Sequence, residues 1–285
     1  MKSKIIFLLA LAYSLVGNAQ LSAVDYKSKE FNQFKASKTY VVLTGDAKFD
    51  SEIKAGMTDL WKVTPFSFIS KAEFEKKLPE TTASFISFIV ISGKNPGQNY
   101  HFLALLNGGK KKLSRYEYDD MLAYCPINFF QNENKLTDCS YRVRNMIESM
   151  VHSMNIVQKN DIKGNSYKIV KELREKYNEK APQIKDRTLL FCDVTLGNKI
   201  TKSDIAGIYP HKFEICSKEK IEQVIKDKSK EYYYFQPAIT MNKSMFVFDP
   251  SNGEVLYFDY NIMGLNINTG NIEDLAKAVS PKKKK

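Results

Sequence analysis

Three histidines are the first residues in the sequence that could carry catalysis or bind a metal: His101, His152 and His211. No two of them have the HxxxH or HxH spacing that zinc sites commonly use. His101 falls in a predicted strand, His152 on a predicted helix, and His211 in a loop after Pro210. We therefore expect structural or surface roles for all three histidines.

Serines and carboxylates give no recognisable active-site motif. The sequence contains no GxSxG, and Ser70 and Ser217 each begin a predicted helix. Asp46, Asp193 and His211 lie near predicted strand ends, where ligands of open α/β sheets bind. These three residues are the candidates if the chain is a hydrolase, or another enzyme, with its active site between two domains.

Acidic residues cluster at Glu117, Asp119 and Asp120 and in the turn 249–254. Adjacent carboxylates in a strand point to opposite faces, which suits solvation better than shared metal binding. The turn lacks the DxDxDG register and the distant glutamate of a calcium loop. Neither GxGxxG nor GxxxxGK[ST] occurs, so no phosphate-binding loop is predicted. We expect no metal and no cofactor.

Four cysteines, an even number, invite disulfides in an oxidising compartment: Cys125, Cys139, Cys192 and Cys216. Cys125 and Cys139 are close in sequence across a polar stretch, and they are the first expected pair. Cys192 and Cys216 either bond across neighbouring strands or fill core positions as small apolar residues. No pair has CxxC spacing, so neither a redox motif nor a zinc site is predicted.

Aromatic residues concentrate in the run 232–235, Tyr-Tyr-Tyr-Phe. A run of four within a strand places two side chains on each face. If one face is exposed, it forms a patch suited to a partner protein or a glycan. If the strand is central in a sheet, helices cover both faces, and we favour this second arrangement. The candidate patch comprises five tyrosines: Tyr116, Tyr118, Tyr232, Tyr233 and Tyr234.

The N-terminus has the pattern of a secretory signal peptide. Lys2 and Lys4 precede an apolar run, and Gly17 and Ala19 are small residues suited to cleavage after Ala19. The run of about a dozen residues is shorter than the roughly 20 that cross a bilayer. We therefore expect cleavage and a soluble, periplasmic or secreted protein.

The net charge is positive but spread along the chain. The formal charge of +11 falls to +9 when Lys2 and Lys4 are removed, and lysines are concentrated only at 110–112 and 282–285. Export argues against nucleic acid as a partner. We interpret the charge as solvated faces and a basic tail, with membrane contact at most peripheral.

An internal duplication organises the chain. Residues 66–78 (FSFISKAEFEKKL) align without gaps to 213–225 (FEICSKEKIEQVI), each a short strand followed by a serine that can cap the next helix. Upstream, 39–44 matches 188–193, an apolar run of strand length in each copy. Downstream, a third predicted strand occupies 85–91 in the first copy and 232–239 in the second.

Each copy continues with a predicted hairpin and a helix. In the first copy, strands at 100–106 and 113–118 flank Asn107-Gly108, a strong hairpin signal, and a helix covers 140–158. The corresponding segments of the second copy are 245–248, 255–260 and 272–279. The fold class is therefore α/β (mixed α+β), with two tandem copies of a β-α-β-α-β-β-β-α unit, each a mixed sheet with flanking helices.

The predicted domain organisation follows from this duplication. In chain order it comprises a signal peptide (1–19), a first repeat domain (38–160), a linking helix (161–185), a second repeat domain (186–280) and a basic tail (281–285). Apolar residues recur at helical spacing over 166–177, and Pro182 stops the helix. We expect this helix to pack on one or both domains.

The signal ending Asn18-Ala19-Gln20, the richness in Lys, Asn, Tyr and Ile, and the segment 249–255 (DPSNGEV) resemble exported proteins of the Bacteroidetes type. The element order is also similar to that of thioredoxin-like proteins, but the absence of CxxC removes an oxidoreductase implication. The resemblance implies no particular site residue. Duplication without a catalytic motif predicts a non-enzymatic binding or interaction module of the cell envelope, whose partner is another envelope protein or a glycan.

Overall fold

The computed structural model describes residues 28–92, 99–116, 120–128, 139–162, 166–196, 200–239, 243–261 and 267–281. The predicted signal peptide lies outside these ranges, as do Glu117, Tyr118, Asp119 and the lysines of the tail. No helix within these ranges is long and apolar enough to cross a membrane.

The first unit is a mixed five-stranded sheet with flanking helices. Its strands are β1 (Lys38–Val42), β2 (Phe66–Ile69), β3 (Ala83–Ser92), β4 (Asn99–Asn107) and β5 (Met121–Asn128). Its helices are α1 (Ser28–Lys35), α2 (Ala47–Leu60), α3 (Lys71–Lys77) and α4 (Val143–Lys159). The sheet order is β2-β1-β3-β4-β5, with β1 parallel to β2 and β3, and with β4 antiparallel to β3 and β5.

The second unit follows a connecting helix, α5 (Ser166–Asn178), and a short 3₁₀ segment (Ala181–Asp186). Its strands are β6 (Thr188–Cys192), β7 (Phe213–Cys216), β8 (Tyr232–Ile239), β9 (Lys243–Phe248) and β10 (Val255–Asn261). Its helices are α6 (Asp193–Leu196), α7 (Lys202–Ile208), α8 (Lys218–Lys226) and α9 (Thr269–Val279). The sheet order is β10-β9-β8-β6-β7.

The two sheets have the same topology, which confirms the predicted α/β fold class. When each sheet is read from its parallel edge strand, β2 or β7, the orders β2-β1-β3-β4-β5 and β7-β6-β8-β9-β10 correspond strand by strand. The parallel and antiparallel pairings also correspond. Parallel pairing of the first three strands is the expected result of helical crossovers, and antiparallel pairing of the last three follows from hairpins.

Strand pairing shifts part of the predicted repeat alignment by one residue. In the first sheet, Thr39 pairs with Phe66. In the second sheet, the equivalent Phe213 pairs with Leu189 and not with Thr188. Cys192 therefore takes the place of Val42, not of Leu43 as the sequence alignment predicted. Both copies of the strand are short apolar runs, so hydrophobic pattern alone does not distinguish the two registers.

The predicted strand at 113–118 is wrong over 113–116, and 117–118 lie outside the described residues. Residues Leu113–Arg115 form a 3₁₀ turn, and the last strand of the first sheet is β5, farther along the chain. β5 contains Pro126, and proline is favoured in edge strands because it lacks an N–H. β5 is an edge strand, and its pairing with β4 is interrupted beside Pro126.

One continuous core joins the two units. It contains Leu103, Leu105 and Ile147 of the first unit together with Tyr234 and Phe246 of the second. A separate core on the opposite face of the second sheet is covered by α7 and α9. The face of β8 that carries Tyr234 therefore packs against the first unit, and not only against helices of its own unit.

Helix α4 is the central element of this junction. Ten of its residues are buried, including the polar Asn145, Glu148 and Ser153. Helix α5, the predicted linking helix, packs on α4 and on β10. The Tyr177 and Ser153 hydroxyls lie 2.5 Å apart, and Asn178 exchanges two hydrogen bonds with the backbone of Phe258. The linking helix thus contacts both units.

Candidate functional site

The three histidines lie in different parts of the fold. His101 is buried in β4, and burial lowers the pKa of its imidazole. The His152 ring lies 3.2 Å from the Asn252 carbonyl, where α4 meets the second unit. His211 is hydrogen-bonded to the Ser280 hydroxyl at 2.7 Å. The fold does not bring these three side chains together into one site.

The candidate catalytic residues are also separated. Asp193 follows the carboxyl end of β6, whereas His211 precedes the amino end of the neighbouring parallel strand β7. In the register of these strands Asp193 is level with Ser217, so it is separated from His211 by about 20 Å along the strand direction. Asp46 caps helix α2 by accepting a hydrogen bond from Phe49 N at 2.9 Å. This arrangement does not form an acid–base pair.

The cysteines do not form the predicted disulfides. All four are buried thiols, and no two lie at disulfide distance. The Cys125 thiol donates to the Met146 carbonyl at 3.4 Å, so it points to α4 and not to Cys139. Cys192 and Cys216 are register partners on β6 and β7, and burial raises the pKa of Cys216 to about 12. They behave as core residues, the second of the two interpretations.

The aromatic run is interior. Tyr233, Tyr234 and Phe235 are buried in β8, the central strand of its sheet, which contradicts an exposed patch. Tyr232 is half-buried beneath Lys220. Tyr116 is half-buried and donates a hydrogen bond to the Asn107 carbonyl at 2.6 Å. Coverage on both faces is the result expected for a central strand.

The carboxylates of the turn 249–254 are already engaged. Asp249 accepts hydrogen bonds from Ser251 and pairs with Arg187 at 2.9 Å, and Glu254 pairs with Lys180. Asp120 of the other acidic cluster pairs with Lys110. Within the described ranges, no group of three or more His, Cys, Asp or Glu side chains is arranged to hold a metal.

The strongest candidate site is a cleft between the two units, which we call the inter-unit cleft. It has a volume of about 370 Å³. The first unit contributes side chains from α2, from α4 and from the 3₁₀ turn before α4, and the second unit contributes the C-terminal half of α8 and the residues after it. The lining residues are Lys48, Glu52, Tyr141, Arg144, Glu222, Ile225, Lys226 and Lys228.

The lining of the cleft contains more cations than carboxylates. Its four cations, Lys48, Arg144, Lys226 and Lys228, exceed its two carboxylates by two charges. Lys48 pairs with Glu222 at 3.0 Å across the two units, and Arg144 pairs with Asp59 at 2.8 Å. The Arg144 guanidinium lowers the pKa of Asp59, and Lys228 contributes in the same direction.

Tyr141 forms part of the cleft wall. The Arg142 guanidinium and the Lys218 ammonium lie over its ring, at 5.7 and 5.5 Å from the centroid. Burial raises the pKa of Tyr141, so its hydroxyl stays protonated near neutral pH. No residue in the described ranges makes a hydrogen bond with this hydroxyl. The hydroxyl can therefore donate to an acceptor group in the cleft.

Lys228 reaches the cleft from an unfavourable backbone conformation. Its φ is +49°, in the left-handed region where glycine is preferred. The Ser229 amide donates to the Val224 carbonyl and the Lys228 amide to the Ile225 carbonyl, so α8 ends in a Schellman motif. Glycine usually occupies the position that Lys228 holds. The charged Lys228 side chain therefore lies at the rim of the cleft at a cost in stability, because its backbone is strained.

Beside the cleft, a buried polar cluster fixes α4 to the second unit. Asn145 accepts a hydrogen bond from the Tyr234 hydroxyl at 3.0 Å and donates one to Glu148 at 2.9 Å. Glu148 also lies 3.7 Å from the Arg144 guanidinium. Burial raises the pKa of the Glu148 carboxyl, against the smaller effects of Asn145 and Arg144. The cluster therefore holds a carboxylate whose charge is poorly solvated.

Replacing Glu148 by glutamine is expected to change how stability depends on pH. The pKa of Glu148 is higher in the folded state than in the unfolded chain, where it is about 4.5. Folding therefore takes up a proton at pH values between these two pKa values. Lowering the pH through this window should stabilise the natural protein relative to Glu148→Gln. Urea denaturation of both proteins at pH 7 and pH 5 measures this difference, and equal pH dependence would contradict it.

Comparison with models of protein families, with curated proteins and with solved structures finds no match to this chain.

Proposed function

We propose that this chain is an exported binding protein of the cell envelope that holds a small acidic ligand in the inter-unit cleft. The observation that carries the proposal is the excess of cations in a cleft to which both units contribute. The signal-peptide pattern at the N-terminus supports export. A sugar acid or a sugar phosphate has the chemistry that this cleft favours, and the sequence predicts another envelope protein or a glycan as the partner.

The unpaired cations account for the sign of the ligand's charge. Lys48 and Arg144 already pair with carboxylates, but Lys226 and Lys228 have no ion pair with any described residue. Lysine provides a compact charge with three donors, suited to carboxylate or phosphate oxygens. The Tyr141 hydroxyl adds a neutral donor. Together, these groups can neutralise and orient one anionic group.

The volume of the cleft limits the size of the ligand. About 370 Å³ is near the lower end of the range of small-molecule sites, which runs from about 300 to 1,000 Å³. A monosaccharide-sized ligand matches this volume better than a polymer segment or a protein loop. Ligand binding should also strengthen contact between the units, because the lining residues come from both.

Replacing Lys228 by glycine separates binding from stability. Glycine relieves the left-handed strain, so Lys228→Gly should raise the free energy of unfolding by about 1 kcal/mol. The same change removes a cation from the cleft and should weaken binding of glucuronate or glucose 6-phosphate about fivefold. Urea denaturation and titration calorimetry measure the two effects. Because Lys228→Gly should increase stability, weaker binding by this variant could not be attributed to destabilisation.

Asp161 provides the matched control. It has a φ of +48° at the end of α4, with the same pair of backbone hydrogen bonds around it, and it does not line the cleft. Asp161→Gly should relieve the same backbone strain and leave binding unchanged. Equal affinity in the natural protein and Lys228→Gly would contradict a role for Lys228 in holding the ligand.

A further inference from the structure

A second concave surface lies on the first unit, between α3 and the chain that follows β4, and we call it the α3 groove. Its volume is about 300 Å³, and it shares no lining residue with the inter-unit cleft. Its lining residues are Lys71, Phe74, Glu75, Leu78, Lys111, Lys112, Leu113 and Ser114. We propose that this groove docks an acidic segment of a partner protein that inserts one large apolar side chain.

The apolar part of the groove explains the inserted side chain. Phe74 and Leu78 are buried and form its base, whereas Leu113 is 38% exposed at its edge. Only Val90 and Val194 are further exposed large hydrophobic residues in the described ranges. An apolar base with an exposed leucine at its edge gains free energy when a partner's apolar side chain removes it from water.

The charged part of the groove explains the acidic character of the partner. Three lysines, Lys71, Lys111 and Lys112, surround one carboxylate, Glu75. None of the three lysines has an ion pair with a described residue. The adjacent Lys110 differs, because it pairs with Asp120 and lies over the Tyr116 ring at 5.2 Å. The charge in the groove is therefore not used in ion pairs with the described residues.

The internal repeat gives an independent reason to expect docking at this face. Helix α3 of the first unit corresponds to α8 of the second unit, since each follows the edge strand of its sheet. In the second unit, α8 is partly covered by protein, because it packs against the 3₁₀ turn before α4 and its Glu222 pairs with Lys48. In the first unit, the corresponding groove is open at Leu113. The repeated fold thus already contacts protein over part of the equivalent surface.

Fluorescence polarisation with a synthetic acidic peptide tests this proposal. The probe is a labelled nonapeptide of aspartate and glutamate with one central phenylalanine, and the comparison peptide has serine at the centre. Lys111→Glu/Lys112→Glu should weaken binding of the phenylalanine peptide about tenfold or more, and the serine peptide should bind the natural protein about tenfold more weakly. Leu113→Ser should weaken the phenylalanine peptide severalfold. These residues are exposed, so folding should be unaffected.

A matched double substitution separates the groove from the overall charge. Lys226→Glu/Lys228→Glu changes the net charge by the same amount at the inter-unit cleft and should leave peptide affinity unchanged. Equal weakening by the two double variants would overturn the proposal in favour of long-range charge attraction. Equal binding of the two peptides would overturn it as well. Two further results would overturn the proposal. One is that the protein binds phosphatidylglycerol vesicles but not the peptide, and that Lys111→Glu/Lys112→Glu abolishes vesicle binding. The other is concentration-dependent dimerisation that is lost in Leu113→Ser.

Discussion

Gly253→Ala is expected to lower the free energy of unfolding by about 3 kcal/mol. Gly253 has a φ of +67° in the turn between β9 and β10, where it lies against α4. An added Cβ would lie 2.5 Å from the Glu148 Cβ and 2.9 Å from the Asn145 carbonyl oxygen. Backbone strain and a clash with a helix backbone therefore add together, at the contact that joins the two units.

Gly45→Ala is the control for Gly253→Ala. Gly45 also has a positive φ, +88°, but an added Cβ would meet nothing within 4 Å. Its substitution should cost only the backbone strain, about 1 kcal/mol. Urea denaturation of both variants measures the two costs. If Gly45→Ala and Gly253→Ala destabilise the protein equally, the contact between α4 and the 249–254 turn does not contribute as described.

The second large effect is expected from reversing the free charges of the inter-unit cleft. Lys226→Glu/Lys228→Glu replaces two attractive interactions with two repulsive ones. At exposed positions each exchange from attraction to repulsion is worth about 1 to 2 kcal/mol, so affinity for glucuronate or glucose 6-phosphate should fall about 100-fold. Both lysines are exposed, so the fold should be retained. Titration calorimetry measures the loss of affinity.

Salt and a distant substitution provide the controls for this charge reversal. Raising the ionic strength should weaken binding to the natural protein, because exposed charges are screened. Lys111→Glu/Lys112→Glu lies in the α3 groove and changes the net charge equally, so it should leave affinity for the sugar nearly unchanged. If both double variants lose affinity to the same extent, binding depends on net charge and not on the cleft.

The repeat was predictable because local and global signals agree. The segments 66–78 and 213–225 each combine a short apolar strand with a helix that starts after a serine. Two copies in the same order made the β-α-β-α-β-β-β-α unit visible without other sequences. The second strand of the first hairpin was misplaced because Leu113 alternates with polar neighbours as a strand residue does, although it lies in a turn.

The disulfide prediction rested on the expected oxidising compartment, whereas packing determines where the cysteines lie in the structure. An even number of cysteines in an exported chain favours disulfides, but Cys192 and Cys216 occupy strand positions that Val42 and Ile69 fill in the first unit. Positions that accept aliphatic residues in one copy accept a thiol as a small apolar group in the other. Sequence alone left these alternatives open because it gives no side-chain direction.

The candidate site could not be predicted from the sequence. Lys48, Tyr141 and Lys226 are far apart along the chain, and only the packing of α2, α4 and α8 brings them to one cleft. Lys228 gives no signal, because its positive φ becomes visible only when the end of α8 is known. The motifs that sequence analysis tests most easily, such as paired histidines, are local, whereas this site is assembled from both units.

Titration calorimetry of the natural protein with glucuronate, glucose 6-phosphate and uncharged glucose tests the central claim most directly. We expect saturable binding of one acidic sugar per chain, weaker at high salt, absent for glucose, and lost in Lys226→Glu/Lys228→Glu. Equal binding of charged and uncharged sugars, or no saturable heat with either acidic sugar, would contradict an acidic-ligand site between the two units.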